Sequence, residues 1–394
     1  MRVCPFCGSR IRLSECDVVA TNLHQTAARG FDQLGSGAPG ATPPSRTPVL
    51  GYHGDYPVIW KGRAQEDSAG TSRGLLGVLY SPAQPALKEL DSLPVEDLPR
   101  RVCSACEVPI PSELDEMEAH ILAIVGLNAA GKTHYLAAAL TEATRQQGLA
   151  PIGCGGFTPC DDTATRLHQN YYVPVFREGE VLAFTPIDPN VRHKPLTFRV
   201  AFGQGGQFLL MMHDVSGEIL SDHRQRAAVA PFVRRASALI FLVDPLEFDQ
   251  VRAGLPKSAL PPARSIHQAD LLSACLHELQ YAPGGRDVPV AVTISKSDIL
   301  DSVLGEQFRF SQPTAVNEWV DDVRKTSDEV RDLLLRLGEK DLVAAAAKHS
   351  QVTFHAVSAL GSTPIAGSVM SNPVPRRCLD PLGTVLLRLN SAVS

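Results

Sequence analysis

The sequence Gly126-Leu-Asn-Ala-Ala-Gly-Lys-Thr133 decides the fold of this chain. It directly follows an apolar run at residues 121–125, and a helical pattern begins at Lys132. A strand, a glycine-rich turn and a helix in this order are typical of a phosphate-binding loop, because glycines let the backbone approach a phosphate and the helix N-terminus presents its amides to negative charge. A chance glycine-rich turn is the alternative, and the flanking strand and helix argue against it.

Each part of this loop has an expected role toward a nucleoside triphosphate. Lys132 would reach the terminal phosphates, and the Thr133 hydroxyl would complete the coordination of Mg²⁺. Consecutive backbone amides would surround the phosphates. The expected nucleotide-binding residues of this segment are Gly126, Asn128, Ala129, Ala130, Gly131, Lys132, Thr133 and His134.

A second segment carries an apolar strand that ends at Asp214, with Gly217 three residues further on. Asp-x-x-Gly at the end of a sheet strand can hold Mg²⁺ through water, while the glycine amide meets a γ-phosphate. The pattern alone is common, and its position downstream of the phosphate loop gives it weight. The next residue is Glu218, whose carboxylate would repel a γ-phosphate but could also accept a proton.

Two further segments predict recognition of guanine. Ser295-Lys-Ser-Asp298 ends another apolar strand. Its Asp298 carboxylate could accept hydrogen bonds from the N1–H and N2–H groups of guanine, which adenine does not offer, and the stem of Lys296 would lie along the base plane. The backbone amides of Ser358-Ala359-Leu360 would then meet the guanine carbonyl oxygen. A solvated Lys–Asp loop is the alternative for the first of these segments.

In this order the segments resemble the G-domain of P-loop GTPases of the translation-factor and Ras-like class, over residues 119 to about 390. More narrowly, the chain is similar to the bacterial double-GTPase group, which is associated with multi-gene conflict or signalling systems. The resemblance implies a Mg²⁺-dependent enzyme that hydrolyses GTP to GDP and phosphate and acts as a molecular switch for an unidentified effector protein. The implied catalytic residues are Lys132, Thr133, Thr185, Asp214, Gly217 and Glu218.

The first-switch threonine is the least constrained of these assignments. Thr185 is preferred because it lies in a proline-rich loop before a predicted strand, whereas its rival Thr197 falls inside that strand. Two residues depart from the family pattern. Ser295 stands where the guanine motif usually begins with Asn or Thr, and Glu218 stands where many relatives have a Gln that orients the attacking water. We therefore expect slow hydrolysis. A pseudo-GTPase that holds nucleotide structurally and an ATP-using P-loop enzyme remain as alternatives.

The cysteines indicate a second kind of site. The chain has nine cysteines, and Cys4-x-x-Cys7 and Cys103-x-x-Cys106 together offer four thiolates, which suit tetrahedral Zn²⁺. The two pairs are far apart in sequence. Either a long insertion separates two zinc knuckles that share one site, or the two pairs have different functions. We expect a zinc-ribbon-like module over residues 1–115.

Composition sets limits on class and location. The chain has 394 residues and a formal net charge of −5, and this acidic charge argues against a nucleic-acid-binding protein. It lacks an apolar run long enough for a membrane span and an N-terminal signal peptide, so we expect a cytoplasmic protein. The resemblance to the bacterial double-GTPase group implies that the protein is bacterial.

Apolar runs alternate with helical stretches from residue 118 to 394, which predicts an α/β fold. The expected domain is a P-loop NTPase G-domain with a mostly parallel sheet, helices on both faces and some insertions. The predicted strands are 121–125, 196–202, 208–213, 238–243, 288–294 and 351–357, and the predicted helices are 132–147, 268–279, 316–337 and 381–389. In the N-terminal module, short strands are predicted at 11–20 and 57–60.

Overall fold

The chain divides into two compact units, Met1–Glu118 and Ala119–Ser394. The computed structural model describes residues 2–4, 9–13, 16, 18–19, 51–53, 56–60, 100–105, 110–145, 148–180, 182, 195–203, 206–216, 232–257, 260–261, 266–282, 284–305, 318–362 and 373–393. Among the described helices, none combines the length and the apolar character that a membrane crossing requires.

The described part of the first unit consists of short antiparallel strands. They are β1 (Arg2–Val3), β2 (Arg10–Ile11), β3 (Val18–Val19), β4 (Gly51–His53), β5 (Tyr56–Trp60) and β6 (Arg100–Arg101). β1 pairs with β2, and the other strands form a sheet in the order β4-β5-β3-β6. The predicted strands at 11–20 and 57–60 are therefore confirmed in part, as β2, β3 and β5.

The second unit is built on a seven-stranded sheet. Its strands are β7 (Ala119–Gly126), β8 (Cys154–Pro159), β9 (Leu196–Phe202), β10 (Gln207–Ser216), β11 (Ala238–Val243), β12 (Val290–Ile294) and β13 (Val352–Ala356). They lie in the order β13-β12-β11-β7-β10-β9-β8. The strands from β13 to β10 are parallel, while β9 and β8 run antiparallel to their neighbours at one edge.

Helices connect these strands and cover the sheet. They are α1 (Lys132–Thr144), α2 (Thr163–Leu167), a π-helix (His168–Arg177), α3 (Asp249–Ala253), α4 (Gln268–Leu279), α5 (Ser297–Leu304), α6 (Trp319–Arg336), α7 (Lys340–Ala346) and α8 (Leu379–Val393). Residues of α1 and α8 share one buried hydrophobic cluster with side chains from the central strands. The predicted α/β class with a mostly parallel sheet is confirmed.

The central strands β11 and β12 are apolar at every position except Thr293, because neither face of the sheet meets water there. All six residues of β11 and all five of β12 are buried. A strand that is covered on both faces gains from continuous burial, so it shows no polar alternation. Parallel strands bring their carboxyl ends to one edge of the sheet, and in open α/β sheets ligands bind at that edge.

Candidate functional site

The loop between β7 and α1 has the shape of an anion-binding turn. Ala129 and Gly131 both adopt left-handed backbone conformations, with φ of 57° and 80°. Alternation of left-handed residues with ordinary ones turns successive backbone amides toward one concave side, which suits an anion. The helix then begins at Lys132, so the positive end of its dipole lies at the same place.

Close packing of the sheet explains the glycine at the start of the loop. A Cβ atom at Gly126 would lie 2.7 Å from the backbone carbonyl oxygen of Leu242 on the neighbouring strand β11. Real Cβ atoms do not approach a backbone oxygen this closely, so a side chain would force the two strands apart. Gly126 therefore lets β7 continue into the loop without disturbing the sheet.

Lys132 places a buried positive charge inside this loop. Its Nζ donates hydrogen bonds to the carbonyl oxygens of Gly126 and Leu127, both at 3.0 Å. Its side chain belongs to the buried polar set of the unit. An ammonium group within a turn of backbone amides forms the environment that a phosphate prefers.

The second predicted motif lies beside this loop. In the parallel pairing of β10 with β7, Asp214 is opposite Ile124 and Ser216 is opposite Gly126. The backbone of Asp214 therefore approaches the carboxyl edge of the sheet next to the phosphate loop.

The structure describes only part of the predicted switch segments. The Asp214 side chain, and all of Gly217, Glu218 and Thr185, lie outside the described residues. The rival threonine Thr197 lies in β9, where it is buried and its backbone N–H donates to the Thr163 hydroxyl at 3.0 Å. Those contacts give Thr197 a structural role in the sheet.

The loop after β12 is fixed against the end of β11 and faces the phosphate loop. The Ser295 hydroxyl donates to the carbonyl oxygen of Val243 at 3.0 Å, so this serine braces the loop. Lys296 follows in a left-handed conformation, with φ of 50°. Its Cε lies 3.9 Å from the place that a Cβ of Gly131 would occupy. The predicted base-reading lysine thus lies next to the phosphate loop.

The two predicted base-reading segments are bonded to each other. The Ser358 hydroxyl donates to Oδ1 of Asp298 at 2.6 Å, and both side chains are buried. The backbone N–H of Ser297 donates to the carbonyl oxygen of Val357 at 3.0 Å. Ser358, Ala359 and Leu360 follow β13 after one intervening residue, Val357. The structure therefore brings Asp298 and the Ser358–Leu360 amides to one place.

Asp244 is a residue of this region that sequence reasoning missed. It follows β11 directly, is fully buried, and accepts a hydrogen bond from Lys296 Nζ at 2.8 Å. Its other carboxylate oxygen accepts the N–H of Leu246 at 3.1 Å. The Gln268 amide bonds both backbone groups of Asp244, at 2.6 and 3.1 Å. The sequence signal was an Asp-Pro pair at a strand end, which by itself predicts only a turn.

His134 connects the first turn of α1 to the segment that leads toward Thr185. Its Nε2 accepts a hydrogen bond from the backbone N–H of Leu182 at 3.1 Å. Burial, together with the positive charge of Lys296, lowers the pKa of His134 to about 4. The imidazole is therefore neutral at physiological pH, as an acceptor must be.

The predicted zinc ligands are only partly described. Cys4 and Cys103 are buried, and the Cys103 sulfur accepts the backbone N–H of Ala105 at 3.4 Å. Cys7 and Cys106 lie outside the described residues. Within the described ranges, no group of three or more His, Cys, Asp or Glu side chains converges as a metal site.

Comparison with known proteins places this geometry in context. The sequence profile of the Double-GTPase 2 family matches residues 120–360. A protein of Mycolicibacterium smegmatis, named "Putative ESX-1 scaffolding and assembly protein SaeC", is 26% identical over 329 residues, which cover 76% of this chain and 82% of that protein.

Solved structures also align with the chain. The Arl6 BBS3 small GTPase from Trypanosoma brucei with bound GppNp is 15% identical, covers 70% of this chain and 99% of its own, and gives a TM-score of 0.30. The mammalian SRP receptor is 13% identical, covers 61% of this chain and 93% of its own, and gives a TM-score of 0.30.

Proposed function

The chain belongs to the Double-GTPase 2 family, and from this premise we propose that it binds GTP between the phosphate loop and the two base-reading segments and hydrolyses it slowly to GDP and phosphate. One observation carries the proposal. The loop that holds Lys132 and the loop that holds Lys296 and Asp298 lie side by side, because Lys296 approaches Gly131 to within 3.9 Å of its notional Cβ. A site with a cationic phosphate end and a carboxylate at its base end suits a guanine nucleotide.

At the phosphate end, the chain supplies charge and backbone donors. Lys132 is held inside the turn by the carbonyl oxygens of Gly126 and Leu127. The backbone amides up to His134 would surround the same phosphates. Preorganised donors of this kind stabilise negative charge that develops on the γ-phosphate while water attacks in line.

Mg²⁺ fits the oxygen donors at this edge of the sheet. Thr133 lies in the first turn of α1, and the backbone of Asp214 lies on the strand paired with β7. Hydroxyl and carboxylate oxygens are ligands that Mg²⁺ accepts, directly or through water. When bound, Mg²⁺ would neutralise charge on the phosphates, and Thr133 and Asp214 would hold it.

At the base end, Asp298 would select guanine. An ionised carboxylate offers about four acceptor positions, so the hydrogen bond from Ser358 leaves it able to accept from guanine as well. Adenine offers no matching pair of donors and would leave the buried carboxylate without its partners, which is costly. The amides of Ser358, Ala359 and Leu360 would meet the guanine carbonyl oxygen.

Slow turnover follows from the residue after Gly217. Glu218 would bring an additional negative charge toward the γ-phosphate, which would slow the attack of water. Thr185 has a separate role, in which it would supply the first-switch contact to Mg²⁺. Single-turnover hydrolysis of γ-labelled GTP, with and without Mg²⁺, tests this proposal. We expect slow, Mg²⁺-dependent phosphate release that becomes faster in Glu218→Gln, whereas fast unaided hydrolysis by the wild type would contradict it.

The product of this cycle would be a conformational signal. We propose that an effector protein recognises the nucleotide-dependent state of the segments around 185 and 214–225. The similarity to a protein named for ESX-1 scaffolding and assembly supports a role in organising other proteins.

A pseudo-GTPase is the second candidate function, favoured by Glu218 and by the scaffold name of the relative. It would bind GTP as a structural ligand. In the same single-turnover assay it would retain labelled GTP without releasing phosphate, which separates it from the enzyme.

The N-terminal unit has its own proposed role. We propose that Cys4, Cys7, Cys103 and Cys106 hold one structural Zn²⁺. The burial of the Cys4 and Cys103 side chains and the N–H···S hydrogen bond to Cys103 support this assignment, because thiolates bound to metal are strong acceptors. The proposed compartment is the cytoplasm, where cysteines stay reduced.

A further inference from the structure

One arginine outside every predicted motif contacts both base-reading segments. Nη1 of Arg376 forms an ion pair with Oδ2 of Asp301 at 2.6 Å, and its Nη2 donates to the carbonyl oxygen of Gly361 at 3.0 Å. Asp301 belongs to α5, the helix whose first turn carries Asp298. Gly361 directly follows Leu360. The guanidinium of Arg376 therefore spans the two segments.

The backbone of Arg376 is tied to the same place. Arg376 and Ser358 form an isolated antiparallel bridge, in which the Arg376 N–H donates to Ser358 O at 2.8 Å and the Ser358 N–H donates to Arg376 O at 3.1 Å. The Cys378 thiol donates to the same Ser358 carbonyl oxygen at 3.4 Å. Ser358 thus has its side chain on Asp298 and its backbone on Arg376.

The next residue, Arg377, anchors this segment on its other side. Arg377 is buried, its Nε bonds Asp380 of α8 at 2.6 Å, and its Nη2 bonds Asp322 of α6 at 2.5 Å. Its φ of 53° is a left-handed conformation, which is unfavourable for a non-glycine residue. The carboxylates of Asp380 and Asp322 hold Arg377 in that conformation. The two consecutive arginines therefore contact different parts of the unit: Arg377 binds helices α6 and α8, and Arg376 binds the base-reading segments.

We propose that Arg376 is a positioning residue for recognition of the guanine base, an inference that rests on the proposed function. The Asp298 carboxylate and the Ser358–Leu360 amides must keep a fixed separation to bind neighbouring groups on one edge of the guanine base. Arg376 fixes that separation through two hydrogen bonds that point in different directions, which the planar fork of a guanidinium allows and a lysine does not reproduce. Arg376 acts through Asp301 and Gly361 and does not itself contact the nucleotide.

The test measures the affinity of the full-length protein for GTP and for ATP, each competing with a fluorescent GDP analogue in the presence of Mg²⁺. We expect Arg376→Gln to weaken GTP binding about tenfold, in line with loss of a charged hydrogen-bonded pair, and to leave ATP binding unchanged. Arg376→Lys should be intermediate. Asp301→Asn should weaken GTP binding less, and the double variant should resemble Arg376→Gln because the two residues act as a unit.

A matched control separates positioning from a general effect on folding. Arg331→Gln on α6 removes a guanidinium of similar exposure, 44% against 40% for Arg376, which also pairs with a carboxylate. It should leave the affinities for both nucleotides unchanged. The melting temperatures of all variants are recorded alongside.

The outcomes distinguish this inference from the proposed function. If the wild type prefers GTP and Arg376→Gln keeps the same GTP affinity, the positioning role is wrong and the proposed function stands. An equal loss of GTP and ATP affinity would also overturn the positioning role, since it would indicate general damage to the site. If the wild type shows no preference for GTP over ATP, the proposed function fails, and the inference fails with it.

Discussion

At the scale of single residues, Gly126 affects both the packing of the strands and the proposed binding of the ligand. Its missing side chain lets β7 pass Leu242 of β11, and its carbonyl oxygen accepts a hydrogen bond from Lys132. Gly126 thus contributes both to the packing of the sheet and to the structure of the phosphate loop. A substitution at Gly126 should therefore damage both the sheet and the loop.

Gly126→Ala should lower the free energy of unfolding by about 1–3 kcal/mol, because its Cβ meets a backbone oxygen that cannot move without shifting β11. It should also weaken GTP binding. The matched control is Gly155→Ala in β8, where a Cβ would meet nothing within 4 Å, and where we expect a change within about 0.5 kcal/mol. Chemical denaturation checks both values, and equal stability of the two variants would contradict the steric argument.

The residues that the sequence revealed in advance are those whose role is encoded locally. Lys132 and Asp298 belong to short motifs whose spacing reflects direct chemistry with a nucleotide. Asp244 and Arg376 do not, because their partners are 52 and 75 residues away. An aspartate before a proline and one of two adjacent arginines carry no local pattern, so only the folded chain shows what they contact.

At the scale of elements, prediction succeeded where burial imposes a pattern. The strands at 196–202 and 238–243 and the helix at 268–279 have the predicted ends, while the helices predicted at 132–147, 316–337 and 381–389 begin or end at other residues. β8 was missed because CGGFTP contains two glycines and a proline, and its pairing with β9 is what makes it a strand. α5 was missed because it begins inside the base-reading motif.

The start of α7 offers a test of element energetics. Burial raises the pKa of Glu339 to about 7, and the neighbouring carboxylates Asp249 and Asp341 act in the same direction. Because the folded pKa exceeds the ordinary value of 4.5, the contribution of Glu339 to stability is fully present below about pH 4.5 and is lost as pH rises through about 7.

Glu339→Gln should therefore stabilise the protein by about 1–3 kcal/mol near pH 8 and have little effect near pH 4.5. The reason is that glutamine avoids an ionised carboxylate beside two others. Denaturation curves across this pH range measure the difference. Glu329→Gln on α6 is the control, because Glu329 is exposed and pairs with Lys325, and we expect no comparable pH dependence. A pH-independent effect of Glu339→Gln would contradict the assignment.

At the scale of the whole molecule, the sign of the net charge does not predict the charge of the proposed ligand. The chain is acidic, at −5, yet its proposed ligand is a polyanion. One loop with a buried lysine and oriented amides provides the local field, so the rest of the surface need not be basic. Composition argues against a nucleic-acid-binding protein but does not locate this site.

Metal content tests the proposed role of the N-terminal unit. We expect purified protein to contain about one zinc per chain, because four thiolates complete a tetrahedral site. Cys103→Ser should release the metal, whereas Cys275→Ala, which changes a buried thiol of α4, should retain it. Elemental analysis of the three proteins gives the answer, and wild-type protein without zinc after purification in zinc-containing buffer would exclude the site.

The most direct test of the central claim is competition between GTP and ATP for the purified full-length protein in the presence of Mg²⁺, with the Asp298→Ala variant measured alongside. We expect the wild type to bind GTP at least tenfold more tightly than ATP, since a buried carboxylate that accepts hydrogen bonds from donors on the base discriminates strongly. We also expect Asp298→Ala to lose most of this preference while retaining phosphate-dependent binding. Equal affinity of the wild type for GTP and ATP, unchanged by Asp298→Ala, would contradict the account.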